Sequence, residues 1–185
     1  MANYRRWHRP WGAYFLTLVT HERMRLFRDS RARELLHEAI AHVRRNWPMT
    51  IHEAVLLPDH LHLLCAIPAE EQDYSTRVRL IKHRFTRAWL ASGGREGRST
   101  ASRQNRGIRG VWQKRFHEHT IRNQREFRQH VTYVHMNPVK HGFVRRPIDW
   151  PWSTFHKHVR QGLLPPDWMG PMDLPYIGES RDEVW

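Results

Sequence analysis

What the chain has little of narrows it first. A single cysteine, Cys65, among 185 residues excludes an internal disulfide framework and a multi-cysteine zinc site, since both need several thiols. A lone thiol fits a reducing compartment and a buried, inert position. No apolar run approaches a membrane span: the longest, from Leu61 to Ile67, ends after a few residues where a spanning helix needs about 20. The N-terminus, Met1-Ala-Asn-Tyr-Arg-Arg-Trp-His-Arg-Pro, is basic but has no apolar segment of the secretory kind. These absences lead to the expectation of a cytoplasmic protein with no membrane partner.

Acidic residues are also scarce. There are 18 Asp and Glu against 31 Lys and Arg, a formal net charge of +13. The excess is concentrated, because Arg77 to Arg128 holds 15 Lys and Arg but only Glu96, Glu118 and Glu126 as acids. Such a stretch suits a polyanion, whose counterions are released as phosphates are neutralised. Nine tryptophans beside so many arginines also suit stacking on unpaired bases. An arginine-rich solvated surface would give the same count, so charge favours nucleic acid without naming a chemistry. Arg5, Arg6, Arg79, Lys82, Arg84, Arg87, Arg115, Arg122 and Lys140 are the candidate nucleic-acid contacts, and such binding would associate the protein with the nucleoid.

The hydrophobic share of 39% is enough for one two-layer core. Gly12 to His21 is aromatic and β-branched and reads as a strand. Ser30 is placed to cap a helix to about Asn46, with Leu35, Leu36, Ala39, Ile40 and Val43 at helical spacing. Met49–Leu57 and His60–Ile67 read as two strands joined by the Pro58-Asp59 turn. Ser75 is placed to cap a second helix to about Ala91. Gly93 to Gly110 is rich in Gly, Ser and Arg and reads as a mobile basic loop. Val111 to Ile121 reads as a fourth strand. Asn123 is placed to cap a third helix ending near Asn137, because Pro138 disfavours helix in the residue before it. The order β-α-β-β-α-β-α predicts an α+β fold: an antiparallel sheet with helices on one face, close to ferredoxin-like. Residues 1–145 would form this domain, and 146–185 an irregular extension docked on it. Without an evident exposed apolar helix, a monomer is favoured over a homodimer.

His60-Leu61-His62 lies within an apolar strand. Residues two apart on a strand share a face, with backbones about 7 Å apart, so both imidazoles can converge on one ion while Leu61 anchors the other face. Two half-buried histidines bonded to neighbours would give the same pattern. With 15 histidines, chance pairs are expected, and His117-Glu118-His119 and His156-Lys157-His158 are two more. Their charged middle residues make poor anchors for a buried strand. A histidine-triad nucleotide hydrolase would alternate a third histidine, but Leu64 stands there. In the third helix, His130, Tyr133 and Asn137 share one face. An Asn oxygen can serve a hard cation beside two histidines, yet Tyr133 could equally be a packing residue and Asn137 a helix end. A phenol, with a pKa of about 10, needs a metal or a base to attack phosphorus at neutral pH.

Leu56-Leu-Pro-Asp-His-Leu-His-Leu-Leu64 resembles the His-hydrophobic-His (HUH) motif of single-tyrosine transposases. Tyr133-Val-His-Met-Asn-Pro-Val-Lys-His-Gly-Phe-Val144 resembles the catalytic helix of their REP-associated branch, where REP denotes repetitive extragenic palindromes. Tyr4-Arg-Arg-Trp-His8, Trp112-Gln-Lys-Arg-Phe116, Asp149-Trp-Pro-Trp-Ser-Thr-Phe-His156 and Gly162-Leu-Leu-Pro-Pro-Asp-Trp168 fit the same branch. The resemblance runs to about Gly170, and several motifs in order are far more specific than any one. It implies the HUH nuclease fold and a bacterial enzyme with Tyr133 as nucleophile. It further implies His60, His62 and Asn137 as ligands of Mg²⁺ or Mn²⁺, and hairpin-bearing single-stranded DNA of the REP kind as substrate. The product would be a 5′-phosphotyrosine with a free 3′-hydroxyl. The competing expectations are a nucleic-acid-binding regulator that has lost catalysis, a metal-dependent nuclease using water, and a purely structural basic protein.

Overall fold

Four strands build one antiparallel sheet: β1 (Gly12–Val19), β2 (Thr50–Leu56), β3 (His60–Ile67) and β4 (His117–Ile121), in spatial order β2-β3-β1-β4. The helices are α1 (Ser30–Asn46), α2 (Tyr74–Ala91), α3 (Gln124–Lys140) and the short α4 (Phe155–Arg160). The computed structural model describes residues 12–68, 73–98, 100, 105 and 107–170. Arg5, Arg6, the N-terminal motif and residues 171–185 lie outside that range. The expected α+β, ferredoxin-like order is the one found.

The helices do not share one face, as the strand and helix order alone suggested. Leu16, Leu18, Leu61, Leu63, Cys65 and Ile67 pack with Leu35, Leu36, Ala39, Val78, Ile81 and Phe85 of α1 and α2. Phe15, Val55 and Leu64 face the other way and pack with Val131, Tyr133 and Val134 of α3 and with Trp150. The sheet is therefore the middle of three layers. Its central strand β3 is buried at all eight positions, which is why its sequence reads as a nearly unbroken apolar run rather than an alternation.

Local boundaries follow hydrogen-bond chemistry. Asp29, not Ser30, caps α1, its carboxylate accepting from the Arg31 amide at 2.7 Å. Asp73, not Ser75, caps α2 by accepting from the Thr76 amide. Carboxylates are among the strongest N-caps because they also meet the positive end of the helix dipole. Asn123 caps α3 as expected, through the Glu126 amide. That helix runs past Pro138 to Lys140, further than expected. It closes where Gly142 adopts φ +70° and the Gly142 and Phe143 amides donate back to Val139 and Pro138, the capping arrangement glycine favours. The fourth strand is shorter than expected, since 111–116 is loop apart from a single bridge between Trp112 and Thr20.

The two ends of the basic stretch 93–110 are joined by contacts between described residues. The Gly97 amide donates to Gly110 O at 2.7 Å, and Arg109 pairs with Glu96. A Cβ at Gly110 would lie 2.2 Å from Gly97 O, so only glycine permits this closure.

After α3 the chain returns to the outer edge of β2. The Leu56 amide donates to Trp152 O, the Thr154 amide to Ala54 O, and the Trp150 indole to Leu56 O at 3.0 Å. Residues 150–154 thus cover the otherwise open edge of β2, a common protection for edge strands. Replacing Trp150 with alanine is expected to cost about 3–5 kcal/mol, as for other buried aromatics. Chemical denaturation measures it; a loss below about 1 kcal/mol, typical of surface substitutions, would mean that this segment is not part of the cooperative unit.

Candidate active site

The parity of β3 decides what its two histidines face. Leu61 and Leu63 point into the α1–α2 layer, so His60 and His62 point towards α3. The rings of His60 and His62 lie 4.8 Å apart, and the Tyr133 ring lies 5.3 Å from His62. Phe15 of β1 fills the floor between them, 5.3 Å from His62 and 5.7 Å from Tyr133. His60, His62, Tyr133 and Asn137 are each at most 1% exposed. Residues distant in sequence are thus assembled by one strand and one helix packed across it.

Each histidine is oriented through Nδ1. His60 Nδ1 donates to Asp59 Oδ1 at 2.6 Å. His62 Nδ1 lies 2.9 Å from Thr17 Oγ1, directly opposite it in the β1–β3 register. With Nδ1–H donating in both, the Nε2 atoms carry the lone pairs, the arrangement that outer hydrogen bonds impose on metal-binding histidines. Burial works to raise the Asp59 carboxyl, but the hydrogen bond from His60 and the nearby Arg23 guanidinium hold it below its ordinary value. It stays ionised and keeps the His60 ring in place.

Asn137 stands one helical turn beyond Tyr133. Its Oδ1 and Nδ2 are buried and have no hydrogen-bond partner among the described residues. Buried amides are seldom left so, and an oxygen donor in that state fits a cation ligand. Two imidazoles and one amide oxygen leave positions open for phosphate oxygen and water. The donor set present can therefore hold a divalent metal.

Two neighbours complete the site. The Lys140 ammonium lies 5.0 Å from the Tyr133 ring centre, and the His141 ring lies 5.4 Å from His60. The order of the sequence hides Thr17 from a motif reading, whereas Asp59 sits inside the HUH segment and His141 inside the motif of the third helix, where both could have been noticed.

The other basic candidates divide. Arg79, Arg84, Arg87, Arg115 and Arg122 are exposed. Lys82 instead donates to Gln113 O at 2.5 Å and ties α2 to the loop before β4. Arg77, at the start of the basic stretch, is fully buried and donates to the Pro48 and Asp73 carbonyls; its charge holds the fold. A cleft lined by Tyr74, Ser75, Lys114, Arg115, Phe116, His117 and Glu118 sets two cations and one carboxylate beside aromatic rings. Among the described residues, no helix is long and apolar enough to cross a membrane.

The chain matches the family described as "Transposase IS200 like" over residues 12–137. The REP-associated tyrosine transposase of Escherichia coli (strain K12) is 39% identical over 170 residues, which cover 92% of each chain. A Haemophilus influenzae relative is 36% identical over 179 residues, covering 97% of this chain and 99% of its own. Among solved structures, a REP-associated tyrosine transposase bound to a REP hairpin superposes with a TM-score of 0.70 at 35% identity, covering 97% of this chain and all of that one. The match spans both faces of the sheet and the extension, so the chain belongs to the IS200-like transposases, in the REP-associated tyrosine transposase branch, enzymes of DNA cleavage and strand transfer.

Proposed function

We propose that this transposase cleaves and rejoins single-stranded DNA beside a REP-like hairpin through a 5′-phosphotyrosine on Tyr133. The observation that carries the reading is the meeting of Tyr133 with His62 and His60 in one buried site, beside an Asn137 amide lacking a described partner. His60 Nε2, His62 Nε2 and Asn137 Oδ1 would hold Mg²⁺ or Mn²⁺. When bound, that ion neutralises a non-bridging phosphate oxygen and makes the phosphorus a better electrophile.

The remaining chemistry belongs to side chains. Tyr133 Oη attacks phosphorus in line, its proton is lost, and the P–O3′ bond breaks. The departing oxygen becomes a 3′-hydroxyl and the 5′-phosphate stays on the phenol. A 3′-hydroxyl of another strand then attacks the same phosphorus and releases Tyr133, so one phosphodiester replaces another without an external energy source. Lys140 is placed beside the phenol to meet the phosphate's negative charge. Because Tyr133 is 1% exposed, the groups around it must give way as DNA enters. The exposed arginines on α2 and near β4 would hold the hairpin by its phosphates, which position DNA without reading its sequence. The cleft around Phe116 and Arg115 suits stacked, unpaired bases.

Tyr133→Phe should abolish the covalent protein–DNA band on a denaturing gel with Mn²⁺ and a labelled hairpin, while hairpin binding persists. Cleavage that persists without a covalent band would favour the water-using nuclease, and a wild type with neither band nor cleavage would favour the binding regulator. Asp59→Asn weakens the group that orients His60 and should lower Mn²⁺ affinity by roughly tenfold, the usual effect of losing such a partner; an unchanged titration would remove Asp59 from that orienting role, and unchanged affinity in His60→Ala would remove His60 from the ligand set. Among Arg79, Arg84, Arg87, Arg115 and Arg122, each alanine variant that removes a true phosphate contact should reduce the salt slope of hairpin binding by roughly one unit. Unaltered slopes throughout would place the DNA on another surface.

A further inference from the structure

Glu53 of β2, His135 of α3 and His158 of α4 meet on the side of α3 turned away from Tyr133. They are 2%, 0% and 7% exposed, and one ligand atom from each lies within 4.8 Å of the others. A bulge builds the meeting point. In β2, Ile51 pairs with Cys65 but Glu53 already pairs with Leu64, so His52 is the extra residue. Without it Glu53 would point into the α1–α2 core; the bulge turns it towards α3.

We propose that Glu53, His135 and His158 form a second, structural metal site that takes Zn²⁺ and fastens α3 and the C-terminal extension to the edge of the sheet. The carrying observation is His135. Both of its ring nitrogens are buried without a hydrogen bond to any described residue, although Nε2 lies 3.3 Å from Glu53 Oε2. Ligand atoms around tetrahedral zinc stand about 3.3 Å apart, given bonds of about 2.0–2.1 Å, so that spacing matches one edge of such a tetrahedron. His158 Nε2 makes hydrogen-bond contacts of 2.8 and 2.9 Å with the two Glu53 oxygens, so this ring must draw back by about 0.5 Å to share an ion with them. Two imidazoles and a two-oxygen carboxylate make four donors.

A proton shared by His158 and Glu53 would satisfy that pair alone and leave both His135 nitrogens without a partner among the described residues; a metal serves all three. The surroundings match a structural site. Thr154 Oγ1 donates to Glu53 Oε2 at 2.7 Å and orients the carboxylate. The Phe155 and Trp168 rings lie 5.3 and 6.0 Å from the His135 ring and cover it. Imidazole with carboxylate in a closed pocket is a zinc set, whereas Mg²⁺ and Mn²⁺ prefer oxygen donors and water. His135 is two residues from both Tyr133 and Asn137, so zinc would hold the nucleophile helix from behind.

This site stands apart from the catalytic reading and is tested without it. The double variant His60→Ala/His62→Ala removes the front ligands. After incubation with zinc and gel filtration, it should retain about one zinc per chain, by elemental analysis, and a chelator should lower its melting temperature. Adding Glu53→Gln should weaken zinc binding by at least roughly tenfold. If that third substitution prevents folding, Co²⁺ bound to the double variant should show the intense visible bands of tetrahedral coordination. No retained zinc in the double variant, zinc retained unchanged after Glu53→Gln, or only the weak bands of octahedral Co²⁺ would each overturn the proposal.

Discussion

The double-sided burial of β3 is the constraint on which the rest depends. A strand covered on one face alternates apolar and polar residues, but β3 has α1 and α2 on one side and α3 on the other. Every side chain on it must therefore either be apolar or find a specific partner. Leu61, Leu63, Cys65 and Ile67 satisfy the first condition. His60 and His62 satisfy the second through Asp59 and Thr17. The same burial that makes these partners obligatory fixes both rings and excludes bulk water, which strengthens any charge interaction made there. A one-residue slip of β3 would exchange leucines for histidines and destroy core and site together.

The third layer is what turns a common sheet into a site. Helix α3 contributes Val131 and Val134 to packing, Tyr133 and Asn137 to the histidine face, and His135 to the cluster on its far side. Its position is set by contacts on two sides: the sheet below it, and the extension that bonds to the β2 edge through Leu56, Ala54 and Trp150. The segment after α3 is consequently more than a tail. It closes an edge strand, supplies Trp150 to the α3-side core, and brings His158 against Glu53.

Charge is divided between folding and surface. The buried Arg77 and the carbonyl-bound Lys82 lie in the same basic stretch as exposed Arg79, Arg84 and Arg87. Helical periodicity separates them: Arg77, Ile81 and Phe85 share the inward face of α2, while Arg79, Arg84 and Arg87 project outward. A count of positive residues therefore overstates the number available to a polyanion, and the geometry of one helix says which to subtract.

Several features were legible before any fold was known. The apolar run around Leu61 and the spacing of His60 and His62 fixed one strand and its two faces, because side-chain parity is a local property of extended backbone. The one-turn spacing of Tyr133 and Asn137 follows likewise from helix geometry, as does the Asn123 cap. The ordered motifs from Leu56 to Trp168 carried the family. What escaped a linear reading was non-local. Only the β1–β3 register brings Thr17 to His62, and only three-layer packing puts α3 against the histidines rather than beside α1 and α2. The pairs at 117/119 and 156/158 look poor because of their charged middle residues, yet β4 is an edge strand where Glu118 reaches solvent, and His158 lies on a helix against a glutamate 105 residues earlier. Nothing within either segment encodes that contact: it needs a bulge in β2, a covered sheet edge and a helix between them, and those arise only when the whole chain has packed.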